Sequence, residues 1–355
     1  MALATKKPAR RPALAPPKSR LPASSSWKAL GLALSRLGLK PKYLKDTVLP
    51  SWWEPSVAAD RNGFLETVAL IHRRTGLDLP SLMAGVPMWK GGGSVVKFKK
   101  SSRKSEDDVK TCQMLARQAA EVVASAMATP MPNQFPEVRE LHAILKDQGV
   151  CPWVGLDDLA AWCWKNGIPV IHLHNLPVGC QKPDGLVVRT SSGRPVIVLC
   201  HASVRPAWQI FIIAHELGHI ALGHVPEGGV LVDSGLEQST NETEEVEANR
   251  YAVELLTGQP DLGLTSSGQM NASALATSAR RFGERNRINP GVAALNWGFT
   301  TGNWVVANGA VKILEGKQDA LKVMRQAGAA GLEWSKVSSD VAEWLERMTG
   351  LRPAV

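Results

Sequence analysis

The sequence contains no acidic residue before Asp46. Of its 41 Lys and Arg residues, 11 lie in this segment, which leaves 30 bases against 32 acids in the remainder. The formal net charge of +9 therefore belongs to the N-terminal end and not to the body of the chain. A basic body that binds nucleic acid is not indicated, and only weak contact of the N-terminal tail with nucleic acid is expected.

The sequence also lacks the apolar stretches that secretion and membrane insertion require. Residues 1–26 are rich in Pro, Ala, Ser, Lys and Arg and contain no apolar signal-peptide core. Their composition favours a disordered, solvated tail, with a transit peptide as the alternative. The apolar run from Ile210 to Ala214 is too short to span a bilayer.

No pair of cysteines forms a C-x-x-C motif, and the number of cysteines, five, is odd. This pattern does not indicate a disulfide framework or a cysteine zinc site. It is typical of a reduced, intracellular protein in which cysteine acts as a small hydrophobic residue.

Changes of composition divide the chain into five parts. The predicted parts are a disordered basic tail at 1–26, a small helical domain at 27–85, a linker at 86–108, a mixed domain at 109–258 and a helical region at 259–355. The stretch IHRRTGLDLPSLM within the second part leaves a DNA-binding helix–turn–helix open as an alternative to a packed helical bundle. His72 is bulkier than the residue usual at its position in that motif.

The mixed domain predicts an α+β fold that is mainly helical with a small β-sheet. Residues 186–189 and 195–199 flank a Ser-Ser-Gly turn and indicate a β-hairpin, and residues 168–173 indicate another strand. Residues 207–222 are apolar almost all round, which predicts a buried helix.

The buried helix contains the sequence AHELGHIALGH, in which His215 and His219 are four residues apart. Two histidines at this spacing share one helix face and can bind the same metal ion. Zinc then needs a third protein ligand and an open position for water if the site is catalytic. Gly218 is unfavourable within a helix unless another element approaches closely.

Two residues are candidates for the third ligand. His224 would lie on the opposite side of the helix from His215 if the helix continued, so it is more readily interpreted as a residue at the helix C-terminus. Glu245 begins the inward face of a second helix in NETEEVEANRYAVELL, and Asn249 follows it one turn later. This pattern favours Glu245 as a ligand and Asn249 as a hydrogen-bond partner of a ligand.

These segments resemble the ImmA/IrrE family of gluzincin-type metallo-endopeptidases. The resemblance rests on GIPVIHLHNLP, DGLVVRTSSGRPVIVL, FIIAHELGHIALGH and EVEANRYAVELLTG. It implies a zincin-like core at 109–258 with helical flanking regions, and Zn²⁺ held by His215, His219 and Glu245. It also implies that Glu216 is the general base, whereas Tyr251 belongs to the core.

The family resemblance implies a cytoplasmic hydrolase that cleaves a protein partner, a helix–turn–helix repressor or an antitoxin, and so switches transcription on a mobile element. Residues that could assist catalysis from the far side are His201, His174 and Arg205. A second metal site at His172 and His174 is less favoured than a polar strand face. The alternative function is a non-catalytic, zinc-containing regulator or antitoxin-like protein that binds a partner or DNA.

Overall fold

The computed structural model describes most of the chain. Its described residues are 26–90, 96–97, 106–131, 134–180, 182–226, 230–232 and 243–353. The predicted basic tail, except Ser26, and most of the predicted linker at 86–108 lie outside them. Ser26 caps the first helix, because its side chain accepts a hydrogen bond from the backbone N–H of Ala29.

Helices make up most of the described structure. They are α1 (Trp27–Arg36), α2 (Pro41–Tyr43), α3 (Arg61–Thr75), α4 (Leu79–Met83), α5 (Glu106–Ser125), α6 (Val138–Gln148), α7 (Leu156–Lys165), α8 (Pro206–Ala221), α9 (Thr243–Thr257), α10 (Ala272–Asn286), α11 (Pro290–Thr301), α12 (Trp304–Glu315), α13 (Ala320–Gly331) and α14 (Ser339–Thr349). Together with the small sheet they confirm the predicted, mainly helical α+β fold.

One mixed sheet lies among these helices. Its strands are β1 (Val96–Lys97), β2 (Val170–His172), β3 (Gly185–Arg189), β4 (Pro195–Leu199) and β5 (Val230–Val232), in the order β1-β5-β3-β4-β2. Strands β3 and β4 form the predicted hairpin with antiparallel pairing. Strand β2 pairs parallel with β4, and β1 pairs parallel with β5.

The two faces of the sheet contact different hydrophobic clusters. Val187 and Ile197 belong to a cluster that includes residues of the helices from α6 to α13, whereas Val188 and Val198 belong to a cluster that includes residues of α1, α3, α5 and α14. Successive side chains of a strand point to opposite faces, so a strand covered on both sides is apolar throughout. This explains why all five residues of β4 are buried.

The N-terminal helices and the last helix share one of these clusters. Arg74 of α3, 1% exposed, donates hydrogen bonds to the carbonyl oxygens of Val48 and Asp340 at 2.7 and 2.6 Å. Helix α4, the second helix of the stretch considered as a helix–turn–helix, has only five residues. The division into domains stays a prediction.

Candidate metal centre

Helix α8 places three polar side chains in an apolar environment. His215, Glu216 and His219 are each 0% exposed, and most other residues of this helix are buried hydrophobic side chains. The helix starts with Pro206, which lacks the N–H that would otherwise need a partner there. Its buried polar groups require ion or hydrogen-bond partners, because burial of isolated polar groups is unfavourable.

Helix α9 supplies those partners because Gly218 allows it to approach. A Cβ atom at Gly218 would lie 3.1 Å from Cβ and Cδ1 of Tyr251 and 3.2 Å from the carbonyl oxygen of Ala248. A larger residue at this position would push against α9, so glycine favours the close packing of α8 against α9. Tyr251 is a buried member of the core, as the sequence predicted.

The close packing brings Glu245 to the two histidines of α8. The Nε2 atoms of His215 and His219 lie 3.0 Å apart. The Glu245 carboxylate oxygens lie 3.4 Å from Nε2 of His215 and 3.2 Å from Nε2 of His219. Glu245 is 3% exposed, so all three ligand groups meet out of contact with bulk water.

Asn249 fixes the orientation of His215 from behind. Its side-chain oxygen Oδ1 accepts a hydrogen bond from Nδ1 of His215 at 3.0 Å. An amide oxygen only accepts, so a neutral His215 carries its proton on Nδ1 and presents the lone pair of Nε2 to Glu245. The structure thus places Asn249 where the sequence predicted a partner of a ligand.

His224 and Glu247 orient His219 in the same way, and this chain of contacts was not predicted. Nε2 of His224 donates to the Glu247 carboxylate at 3.1 Å, and Nδ1 of His224 lies 2.9 Å from Nδ1 of His219. With its proton on Nε2, a neutral His224 accepts from His219 through Nδ1. His219 therefore also presents the lone pair of Nε2 inwards.

This arrangement fits a small divalent cation. Two imidazole lone pairs and a carboxylate face one another, and the three ligand atoms lie within 4.8 Å of one another. Zinc bonded to nitrogen and oxygen at about 2.0–2.2 Å gives tetrahedral edges of roughly 3.3–3.5 Å. The observed separations of 3.0, 3.2 and 3.4 Å are close to those edges.

Glu216 lies on the same helix and contacts strand β3. A Cβ atom at Gly185, the first residue of β3, would collide with the Glu216 carboxylate and with Ile212. The absence of a side chain at Gly185 therefore lets the strand pass directly beside that carboxylate. This contact was not anticipated, although glycine at the start of an apolar strand is the kind of signal that indicates a close approach.

Comparison with known proteins agrees with this geometry. Residues 167–284 match the family model of the M78 peptidases, described as the IrrE N-terminal-like domain. The chain contains an IrrE N-terminal-like domain. No curated protein and no solved structure matches the chain.

The IrrE N-terminal-like domain covers 118 of the 355 residues and includes every element of the candidate metal centre. It begins after α7 and ends within α10. M78 peptidases are metallopeptidases, so the match supports a peptidase with a protein substrate. Within the described residues, no helix combines the length and the apolar character that crossing a membrane requires.

The three residues considered for assistance in catalysis, His201, His174 and Arg205, lie in different surroundings, and the contacts of His201 are nearest in sequence to Gly185 and the metal-centre helix α8. The ring of His201 stacks on Trp208 of α8 at 4.9 Å, and its Nε2 lies 3.7 Å from the carboxylate of Asp184, the residue before Gly185. Arg205 instead donates to the carbonyl oxygen of Gly316. The backbone N–H of His174 donates to Met348.

Among the described residues, no group of three possible metal ligands includes His172 or His174. Nε2 of His172 donates to the carbonyl oxygen of His201 at 3.0 Å, and burial lowers the pKa of His172 to about 4. Burial also lowers the pKa of His174. Across the described part of the chain, His215, His219 and Glu245 form the only group of three such side chains that could hold one ion.

Proposed function

We propose that the protein is a zinc-dependent endopeptidase of the cytoplasm. It cleaves a protein partner, a helix–turn–helix repressor or an antitoxin, and thereby switches gene expression. The observation that carries the proposal is the convergence of His215 and His219 of the buried helix α8 with Glu245 of α9, beside Glu216 of α8. The identity of the partner class rests on the ImmA/IrrE resemblance and on nothing in the geometry.

Three side chains would hold the zinc ion, namely His215 and His219 through Nε2 and Glu245 through its carboxylate. Two imidazoles and one carboxylate are a ligand set of catalytic zinc sites, which keep a further position open for water. When bound, Zn²⁺ supplies Lewis-acid chemistry, since it polarises a carbonyl group and makes water more acidic. Asn249 and His224 keep both imidazoles in the tautomer that binds a cation.

Glu216 is the general base in this proposal. Its carboxylate removes a proton from a water molecule while the water oxygen forms a bond to the carbonyl carbon of the scissile peptide. It then returns that proton to the leaving nitrogen as the carbon–nitrogen bond breaks. The same carboxylate therefore accepts the proton and returns it, and the products are a free carboxyl end and a free amino end.

The decisive test replaces Glu216 by glutamine, which retains the shape of the side chain and removes the base. Zinc content, measured by metal analysis of the purified protein, should stay at about one ion per chain. General-base catalysis contributes on the order of 10²–10⁴ in rate, so cleavage should fall by about that factor. Each form is co-expressed with candidate repressors from neighbouring reading frames, and cleavage is read by intact mass.

Glu140→Gln is the matched control, because Glu140 is an exposed glutamate of α6 outside the metal centre. It should cleave as fast as the unaltered protein. Equal cleavage by Glu216→Gln would contradict the mechanism. If no form cleaves a partner that all forms bind tightly, the non-catalytic regulator is the correct function.

A further inference from the structure

A large acidic cleft lies at the end of α8 opposite to the metal centre. It has a volume of about 1330 Å³ and is bounded by Pro206, the start of α7, α10 and the connection from α12 to α13. The charged residues that line it are five acids and one base: Asp157, Asp158, Glu284, Glu315, Asp319 and Arg280. The cleft therefore attracts positively charged groups.

Glu315 gives this cleft a buried carboxylate. The residue is 8% exposed, and its Oε1 accepts a hydrogen bond from the backbone N–H of Ala207 at 2.7 Å. Its other oxygen, Oε2, is buried and has no hydrogen-bond partner among the residues that the structure describes. Burial raises the pKa of Glu315 to about 7, so a cation beside Oε2 would favour the ionised form.

The spacing of the acids distinguishes between kinds of cation. Among the described residues, only the metal centre brings three ligand groups within 4.8 Å of one another, so the cleft does not gather its acids around one ion. Acids that are spread over a cleft of this size can form ion pairs with several cationic groups on one polypeptide segment. Lys and Arg side chains of a basic segment have this property.

The chain contains such a segment outside the described residues. Residues 1–25 hold no acid, and their bases are Lys6, Lys7, Arg10, Arg11, Lys18 and Arg20. A segment of this length reaches up to about 80–90 Å, whereas a compact chain of this size has a radius of gyration of about 20 Å. Covalent attachment raises the local concentration of the segment to roughly the millimolar range.

We propose that residues 1–25 dock in the acidic cleft of the same chain, with their Lys and Arg side chains paired to Asp157, Glu284, Glu315 and Asp319. The opposite charges, the buried oxygen of Glu315 and the length of the segment support this occupant over an external one. The proposal is independent of peptidase activity, and its test uses neither zinc nor a substrate.

Cross-linking with a carbodiimide, which joins an amine only to a carboxylate in direct contact, tests the proposal in the full-length protein. Lys6, Lys7 or Lys18 should be linked to acids of the cleft, and peptide mapping by mass spectrometry identifies the links. A mixture of ¹⁴N- and ¹⁵N-labelled protein separates links within one chain from links between chains. No link from these lysines to the cleft, or links only between chains, would overturn the proposal.

A charge variant of the cleft supplies the second arm. Glu284→Gln combined with Asp319→Asn removes two exposed charges, and asparagine retains the ability to cap α13 at position 319. Links from the tail to Asp157 should fall roughly 2- to 30-fold, because two exposed ion pairs are lost and each contributes about 0.2–1 kcal/mol. Asp46→Asn combined with Glu66→Gln removes two exposed charges outside the cleft and should change nothing.

A competing peptide gives the third arm. A synthetic peptide of residues 2–25, in excess, should displace the tail and lower its links to Asp157, whereas the same peptide with Gln for each Lys and Arg should not. Equal loss with both peptides would overturn pairing by charge. Equal links in the cleft variant and in its control would overturn the cleft as the docking site.

Discussion

The two ends of α8 hold carboxylates in two different arrangements. Near the C-terminal end, Glu245 faces two imidazoles, and the three ligand atoms lie within 4.8 Å of one another. Near the N-terminal end, Glu315 is buried, but the acids around it are spread along a cleft of about 1330 Å³. The first arrangement suits one small cation, and the second suits an extended, positively charged segment.

The metal centre and the acidic cleft differ in the hydrogen-bond partners of their buried side chains. Each histidine of the metal centre has a hydrogen-bond partner on its outer nitrogen, Asn249 or His224, which fixes the lone pair that points inwards. Glu315 has a partner for only one oxygen, the N–H of Ala207, among the described residues. Hydrogen-bond partners that orient the ligands make a site specific for one metal ion. A single buried charge in a wide cleft attracts cations without fixing their positions.

The largest expected effect breaks the metal centre itself. Glu245→Gln keeps the size of the side chain and removes the anionic ligand, so zinc affinity should fall by more than the roughly 10–100-fold that loss of a partner behind a ligand produces. Competition with a chromophoric chelator measures the affinity, and circular dichroism verifies the fold. Glu244→Gln, at the neighbouring position of the same helix, is the control and should bind zinc normally. Loss of zinc binding in Glu244→Gln but not in Glu245→Gln would show that Glu244 is the ligand that α9 contributes.

The next largest effect concerns Glu315 and the dependence of stability on pH. Burial raises the pKa of this carboxyl from 4.5 to about 7. A carboxyl with a raised folded-state pKa contributes stability below its unfolded value, and this contribution is lost as the pH rises through about 7. The loss is about 3 kcal/mol between pH 4.5 and pH 8, since one pKa unit corresponds to about 1.4 kcal/mol.

Glu315→Gln should remove this dependence, because glutamine is neutral at every pH and still accepts from Ala207. Both proteins are compared without residues 1–25, because a tail docked beside Glu315 would favour its ionised form. The free energy of unfolding, measured by chemical denaturation at pH 5 and pH 8, should therefore fall less as the pH rises in the variant than in its parent protein. Taking the difference between the two proteins cancels the titration of other groups. An identical pH dependence of both would show that Glu315 ionises freely in the folded state.

The helical half of the metal centre could be predicted from the sequence, because helical periodicity governs it. His215 and His219 share a face at a spacing of four, and Glu245 begins the inward face of α9. The hairpin of β3 and β4 was also visible, since its strands are apolar and flank a turn with glycine. These signals are local, and a short stretch of chain contains each of them completely.

The position of His224 could not be predicted because periodicity ends before it. Helix α8 stops at Ala221, and Gly223 adopts a φ of +74°, which turns the chain back towards the helix. An angle calculated for a continuous helix therefore does not apply to His224. Glu315 illustrates the other limit, because it contacts Ala207 from 108 residues away and no local pattern records that contact.

The smallest expected effects concern the hydrogen bonds that link His219 to His224 and His224 to Glu247. His224→Ala removes the acceptor that holds the proton on Nδ1 of His219, so zinc affinity should fall about 10–100-fold, as is typical of such partners. Glu247→Gln should lower it only about 2- to 5-fold, since Glu247 is 51% exposed and water weakens its hydrogen bond with His224.

Asn249→Ala supplies the matched comparison for these two variants, because Asn249 holds His215 as His224 holds His219. It should weaken zinc binding by about the same factor as His224→Ala. The two changes combined should depart from additivity in free energy, because both ligands hold the same ion and their Nε2 atoms lie 3.0 Å apart. Chelator competition at one pH measures the three single variants, the double variant and the unaltered protein. A loss from Glu247→Gln as large as that from His224→Ala would show that the carboxylate, and not the ring between, fixes the orientation of His219. No loss from either would leave His219 oriented by α8 alone.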